Sequence, residues 1–210
     1  RRGGTSAYWD LIVKDDFIIG TSESGHLDVY QINSRLRDFT LHKVSQIRPK
    51  LKPQRLRITC IDKENYISVG ADGVVVKFDR SGNVQWDYRL DGILRDISLS
   101  PCGQKVAVGS ELGELVVLST DKGELIHRID HHRPVWCLAY CPDGTLVFGE
   151  RELREVETQR TKSKLRFLDA DYQERGYITS LGNYKRIQVL DDENLLVSSN
   201  TNDRIFLASI

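Results

Sequence analysis

At 210 residues the chain is long enough for one domain with a substantial core, and 40% hydrophobic against 29% charged residues is the balance of a soluble globular protein. Thirty basic side chains offset thirty acidic ones, so net charge gives no reason to expect polyanion or membrane binding, and no window carries the apolar run that spans a bilayer. Four cysteines fall short of a secreted disulfide framework and no Asn-x-Ser/Thr sequon occurs, which favours a reducing, cytoplasmic setting. The chain opens Arg1-Arg2-Gly3-Gly4 and has no methionine, so it is expected to be an excerpt of a longer protein.

In chain order, "DLIVKDDFIIGTSESGHLDVYQI" from Asp10 reads as three strands, and "RDFTLHKV" as a fourth. A charged stretch, residues 45–57, leads to a second unit, "ITCIDKENYISVGADGVVVKFD" from Ile58, closed by "NVQWDYRL". The third unit is "ISLSPCGQKVAVGSELGELVVLS" from Ile97 with "ELIHRID", and the fourth is "LAYCPDGTLVFGE" from Leu138 with "KLRFLD" and "GYITS" beyond a second charged insertion. The fifth, "IQVLDDENLLVSSNTNDRIFLAS" from Ile187, stops after its third strand.

Apolar residues alternate with period two, as in "GVVVKFD", and the breaks between runs are turn formers such as Pro-Asp-Gly and Lys-Glu-Asn. Gly20, Gly70, Gly109, Gly149 and Ser198 mark the second strand of each unit at spacings of 50, 39, 40 and 49. A period of about forty residues made of short strands is the sequence signature of propeller blades. The chain is therefore expected to be all-β, a single β-propeller domain of four-stranded antiparallel blades, five of them visible. Their expected bounds are 8–44, 57–90, 94–130, 135–180 and 186–210. The ring would be closed at five blades or be a slice of a larger propeller, since an open ring leaves unpaired backbone groups at an edge. The missing fourth strand of the fifth unit would come from "TSAYW" at the start of the chain or from sequence beyond Ile210.

The units "HHRPVWCLAYCPDGTLVFG" and "RDISLSPCGQKVAVGSELGELVVL" resemble the WD-repeat pattern. That resemblance implies a structural role for His131 in the loop before the inner strand, for Pro142, Asp143 and Gly144 in the following turn, and for Gly113 before the third strand. Gly73 joins Gly20, Gly70, Gly109 and Gly149 as a repeat glycine. The Trp-Asp dipeptide is replaced by pairs such as Phe78-Asp79 and Leu168-Asp169, so blade stability is expected to rest on packing. One unit, "DGVVVKFDRSGNVQW", resembles a quinoprotein-type repeat, which implies a docking role for Trp86.

His131, His132, Cys137 and Cys141 crowd into eleven positions as a metal site would. Cys137 and Cys141, however, lie four apart on a strand, about 13 Å distant at the strand rise, too far to grip one ion. The cluster reads as the start of a blade, and no metal or cofactor is expected. Cys102 lies in the turn Ser-Pro-Cys-Gly, where no pKa-lowering neighbour is visible. Asp191, Asp192 and Glu193 fall in another turn. Neither a catalytic triad order nor a phosphate loop occurs in the needed context, so the chain is expected to be no enzyme.

The two insertions carry the binding expectation. Arg48, Lys50, Lys52, Arg55 and Arg57 form a basic strip between and beyond Pro49 and Pro53, and residues 150–163 add Arg151 and Arg154. On a WD-type blade the loops from fourth to first strand and from second to third share one face, so both insertions should crown it. The expected function is a non-enzymatic scaffold presenting this face to a protein partner, an acidic one if the strip steers it. The alternatives are a nucleic-acid-associated module using residues 45–57 and a quinoprotein-type enzyme.

Overall fold

The computed structural model describes residues 8–22, 26–35, 38–47, 55–151, 162–181, 183–191, 193–199 and 205–209. The first blade is β1 (Tyr8–Lys14), β2 (Phe17–Ser22), β3 (Leu27–Arg35) and β4 (Asp38–Ile47), and the second is β5 (Arg55–Cys60), β6 (Asn65–Gly70), β7 (Val74–Asp79) and β8 (Val84–Arg89). The third is β9 (Leu94–Leu99), β10 (Lys105–Ser110), β11 (Glu114–Ser119) and β12 (Leu125–Asp130). The fourth is β13 (Val135–Tyr140), β14 (Leu146–Glu150), β15 (Lys162–Leu168) and β16 (Glu174–Leu181), and the fifth holds β17 (Tyr184–Val189), β18 (Asn194–Ser199) and β19 (Ile205–Ser209). Each sheet is an antiparallel meander in sequence order, and no helix occurs among the described residues.

The turns form where the side chains supply their own backbone partners. Asp62 accepts from the N–H groups of Glu64 and Asn65, Ser100 from Lys105, Asp143 from Thr145, and Asp191 from Glu193. Between turns, the second and third sheets bury both faces against their neighbours, which is why β6, β7, β10 and β11 are apolar almost throughout. Ile58 and Phe78 of the second blade close on Ile19 and Leu27 of the first; Leu94 and Val106 of the third close on Ile67 and Val75. Phe148 meets Leu115 and Val117, and Leu195 meets Val147 and Leu165, so the core is a series of inter-blade layers.

The inner strands pack successively, β1 on β5, β5 on β9, β9 on β13 and β13 on β17. The arc of described strands ends in two bare faces. Leu11 and Val13 of β1 are 58% and 68% exposed, whereas Ile58 and Leu138, at the register position of Leu11, are each 3% exposed. Ile205 of β19 is 66% exposed where Val75 and Leu115 are at most 1%. Tyr8 and Trp9 belong to β1, Tyr8 lying opposite Ser22, so they do not supply a fourth strand to the fifth blade.

Candidate functional site

Every inner strand has one register shift near its start, between Tyr8 and Asp10, Arg55 and Arg57, Leu94 and Asp96, Val135 and Cys137, and Tyr184 and Arg186. Such a shift is a β-bulge, an extra residue that re-aims the side chains on either side. The residues that follow the bulge, Asp10, Arg57, Asp96, Cys137 and Arg186, therefore hold equivalent places around the inner wall. Opposite them stand Thr21, Val69, Gly109, Gly149 and Ser198. Gly20 and Gly70 are thus not the partners of Gly109 and Gly149: the first precedes the equivalent position, opposite Leu11, and the second follows it, opposite Arg55.

Four of these five inner residues are charged and answer one another. Arg186 donates to Asp10, and its second nitrogen lies 3.5 Å from Asp96. Arg57 Nε is 3.7 Å from the same Asp96 oxygen, and Arg57 Nη1 donates to the Trp9 carbonyl at 3.3 Å. Each carboxylate also ties down the next blade: Asp10 accepts the Ile58 N–H at 3.2 Å and Asp96 the Leu138 N–H at 3.0 Å. Burial pushes Asp96 up to about 6 although two guanidiniums flank it. Arg57 is accordingly part of an inner ion-pair group and not of an outward basic strip.

The second group lies under the fourth blade. Glu150, fully buried at the end of β14, has His131 Nε2 at 3.2 Å, Arg166 Nε at 3.1 Å and Arg133 Nη1 at 3.5 Å. The His131 ring meets Phe148 edge-on at 5.6 Å, and burial lowers its pKa. Cys137 and Cys141 are both fully buried beside Ala139, Val147 and Tyr184, and burial raises both thiols. The histidine and cysteines that crowd the sequence therefore serve a carboxylate clamp and an inter-blade core.

Cys102 differs from its expectation. It is exposed, and its thiol is lowered by a hydrogen-bond contact with the Ser100 hydroxyl at 3.4 Å and by Lys105, neighbours that the turn brings together. Trp86 does dock: its ring covers Gly123 of the third blade and its Nε1 donates to the Thr120 carbonyl at 3.1 Å.

The extra residues of the bulges form a third group on the face that carries the loops from second to third strands. Trp136, the bulge residue of β13, has two guanidiniums over its ring: that of Arg95, the bulge residue of β9, at 4.3 Å and that of Arg151, which follows β14, at 4.8 Å. Arg95 is paired with Glu111 at 2.5 Å, and the Arg151 backbone is pinned by its N–H to the Pro134 carbonyl at 2.9 Å.

The family described as "WD domain, G-beta repeat" matches residues 123–150, from the turn before β12 to the end of β14. Among solved structures, the WD40 β-propeller domain of Doa1 superposes with a TM-score of 0.72 at 13% identity, over 94% of this chain. The fold is that of a WD-repeat-like β-propeller. The chain spans 62% of the length of that solved domain. A search of curated proteins returns no match.

In this propeller the matched repeat contains the His131 clamp and the Pro142-Asp143-Gly144 turn, where the Asp143 carboxylate accepts from both the backbone and the hydroxyl of Thr145. Of the residues expected to touch a partner, Arg48, Lys50, Lys52 and Arg154 lie outside the described residues, Arg55 opens β5 opposite Gly70, Arg57 turns into the inner wall, and Arg151 stands on the loop-bearing face. Sequence reading passed over Trp136 and Arg95. The signal was present, since each occupies the second place of an inner strand, but it takes the bulge register to see that those places share one rim.

Proposed function

We propose that this propeller is a non-enzymatic platform that docks a protein partner on its loop-bearing face. The observation that carries the reading is the Arg95–Trp136–Arg151 stack, a rigid aromatic and cationic surface spanning two blades. Trp and Arg are the residues that most often concentrate binding energy in interfaces, because they offer large area and directed charge at low entropic cost. The inner wall supports the non-enzymatic part: its carboxylates are engaged by Arg186, Arg57 and the N–H groups of Ile58 and Leu138, which makes them struts between blades.

The test places a photo-cross-linking amino acid at Leu112, on the loop between β10 and β11, or at Asp121, in the turn between β11 and β12 on the opposite face. After nuclease treatment of an extract from the source cells, a discrete protein adduct is expected from position 112 and not from 121. Adducts formed equally from both, or only from 121, would contradict the reading.

A further inference from the structure

We infer that Arg151, stacked on Trp136, is the receptor for a carboxylate side chain in an acidic and apolar segment of the partner. The inference rests on the platform reading above and adds the chemistry that the platform recognises.

Two guanidiniums share one indole, but their charges are not equally answered. Arg95 has the Glu111 carboxylate at 2.5 Å, while Arg151 is exposed and, among the described residues, has no ion-pair partner. A guanidinium held over an aromatic ring still has N–H donors to offer a further partner. A carboxylate is planar and accepts two such donors side by side, so the edge of a stacked arginine fits it in a way that an ammonium group would not. The Trp136 ring and the Arg151 N–H bond to Pro134 fix the receptor before binding, which limits the entropy lost on docking.

The surroundings set the second half of the ligand. Leu112, next to Glu111 on the same rim, is 61% exposed. An apolar side chain beside the acid would cover it. Glu111 and Arg95 also impose a register: a ligand acid seated on Arg95 would face Glu111, so the favourable place for it is at Arg151.

The test uses a fluorescein-labelled peptide repeating Glu-Leu-Gly and a counterpart in which every Glu is Gln, titrated into the intact protein at low salt. The Glu peptide is expected to bind at least tenfold more tightly than the Gln peptide and to weaken as salt rises. Arg151→Glu should lose at least tenfold in affinity for the Glu peptide, and Trp136→Phe should lose less. Arg175→Glu, at the exposed start of β16 on the opposite rim, should change nothing, with far-ultraviolet circular dichroism confirming that each variant is folded. Equal binding of the two peptides, no binding of the Glu peptide, or full affinity in Arg151→Glu would overturn the inference. So would displacement by inorganic phosphate where chloride at matched ionic strength has no effect, since the receptor would then be a phosphate site. If the peptides fail while cross-links still arise from position 112, this inference falls alone; cross-links from position 121 would remove the platform reading beneath it.

Discussion

Arg186 of the fifth blade donates to Asp10 of the first across 176 residues of sequence, while its other nitrogen reaches Asp96 of the third. One side chain thus answers two carboxylates that are each less than a tenth exposed. Those carboxylates in turn hold the N–H groups of Ile58 and Leu138, so a single guanidinium is coupled to the inner strands of five successive blades.

Arg186→Met should therefore cost more than a surface ion pair. Removing one partner of a buried pair leaves the other uncompensated, and because the Arg186 side chain is itself 45% exposed the loss should be about 2–3 kcal/mol. A fall in urea midpoint with an unchanged slope would show it, and adding Asp10→Asn should recover part of the loss through non-additivity.

Asp96 sets a pH dependence of definite sign. Its folded value of about 6 lies above the ordinary aspartate value of 3.8, so the folded chain binds the extra proton between these pH values. The stabilisation from this group is complete below about pH 4 and is lost as pH rises through 6, a change of about 3 kcal/mol. Asp28, Asp62 and Asp143 are lowered instead, by hydrogen bonds to their carboxylates, so their contribution is present above about pH 4 and lost below it. Denaturation of wild type and Asp96→Asn at pH 4, 5, 6, 7 and 8 should show the difference between the two curves changing from pH 4 through 6 and levelling off above about pH 7. A constant difference throughout would refute the assignment.

Gly113 and Gly144 separate conformational strain from steric exclusion. Both have positive φ, +94° and +90°, but a Cβ at Gly113 would lie 1.7 Å from the His131 carbonyl oxygen, whereas a Cβ at Gly144 would meet nothing within 4 Å. Gly144→Ala should cost about 1–2 kcal/mol, the penalty of a left-handed non-glycine residue. Gly113→Ala should cost more than about 3 kcal/mol, because the His131 loop must move as well. Thermal denaturation of the two variants should rank them in that order.

The strands and turns were legible because period two and the Pro-Asp-Gly type of break are local properties, and β13 and β14 stand on either side of the Pro142-Asp143-Gly144 turn. Of the metal-like cluster, Cys137 in β13 and Cys141 just beyond its end both enter the inter-blade core. What alternation does not encode is the bulge. One extra residue lies near the start of each inner strand, and the ladder counted from it puts Thr21 and Val69, not Gly20 and Gly70, at the place of Gly109. The same bulge turns Arg57 inward to Asp96, although its sequence neighbours suggested a basic surface strip. Arg151 was legible as an exposed cation of an insertion. Its stacking on Trp136 was not, because that contact joins a bulge residue to a loop residue across a strand pair.

The platform reading is tested most directly by amide hydrogen exchange on the propeller alone and with the partner captured at position 112. Protection is expected at the loop-bearing rim, residues 110–114, 131–137 and 149–151, with residues 100–104, 119–124 and 142–145 on the opposite face unchanged. Protection confined to the opposite set would contradict docking through the Arg95–Trp136–Arg151 surface.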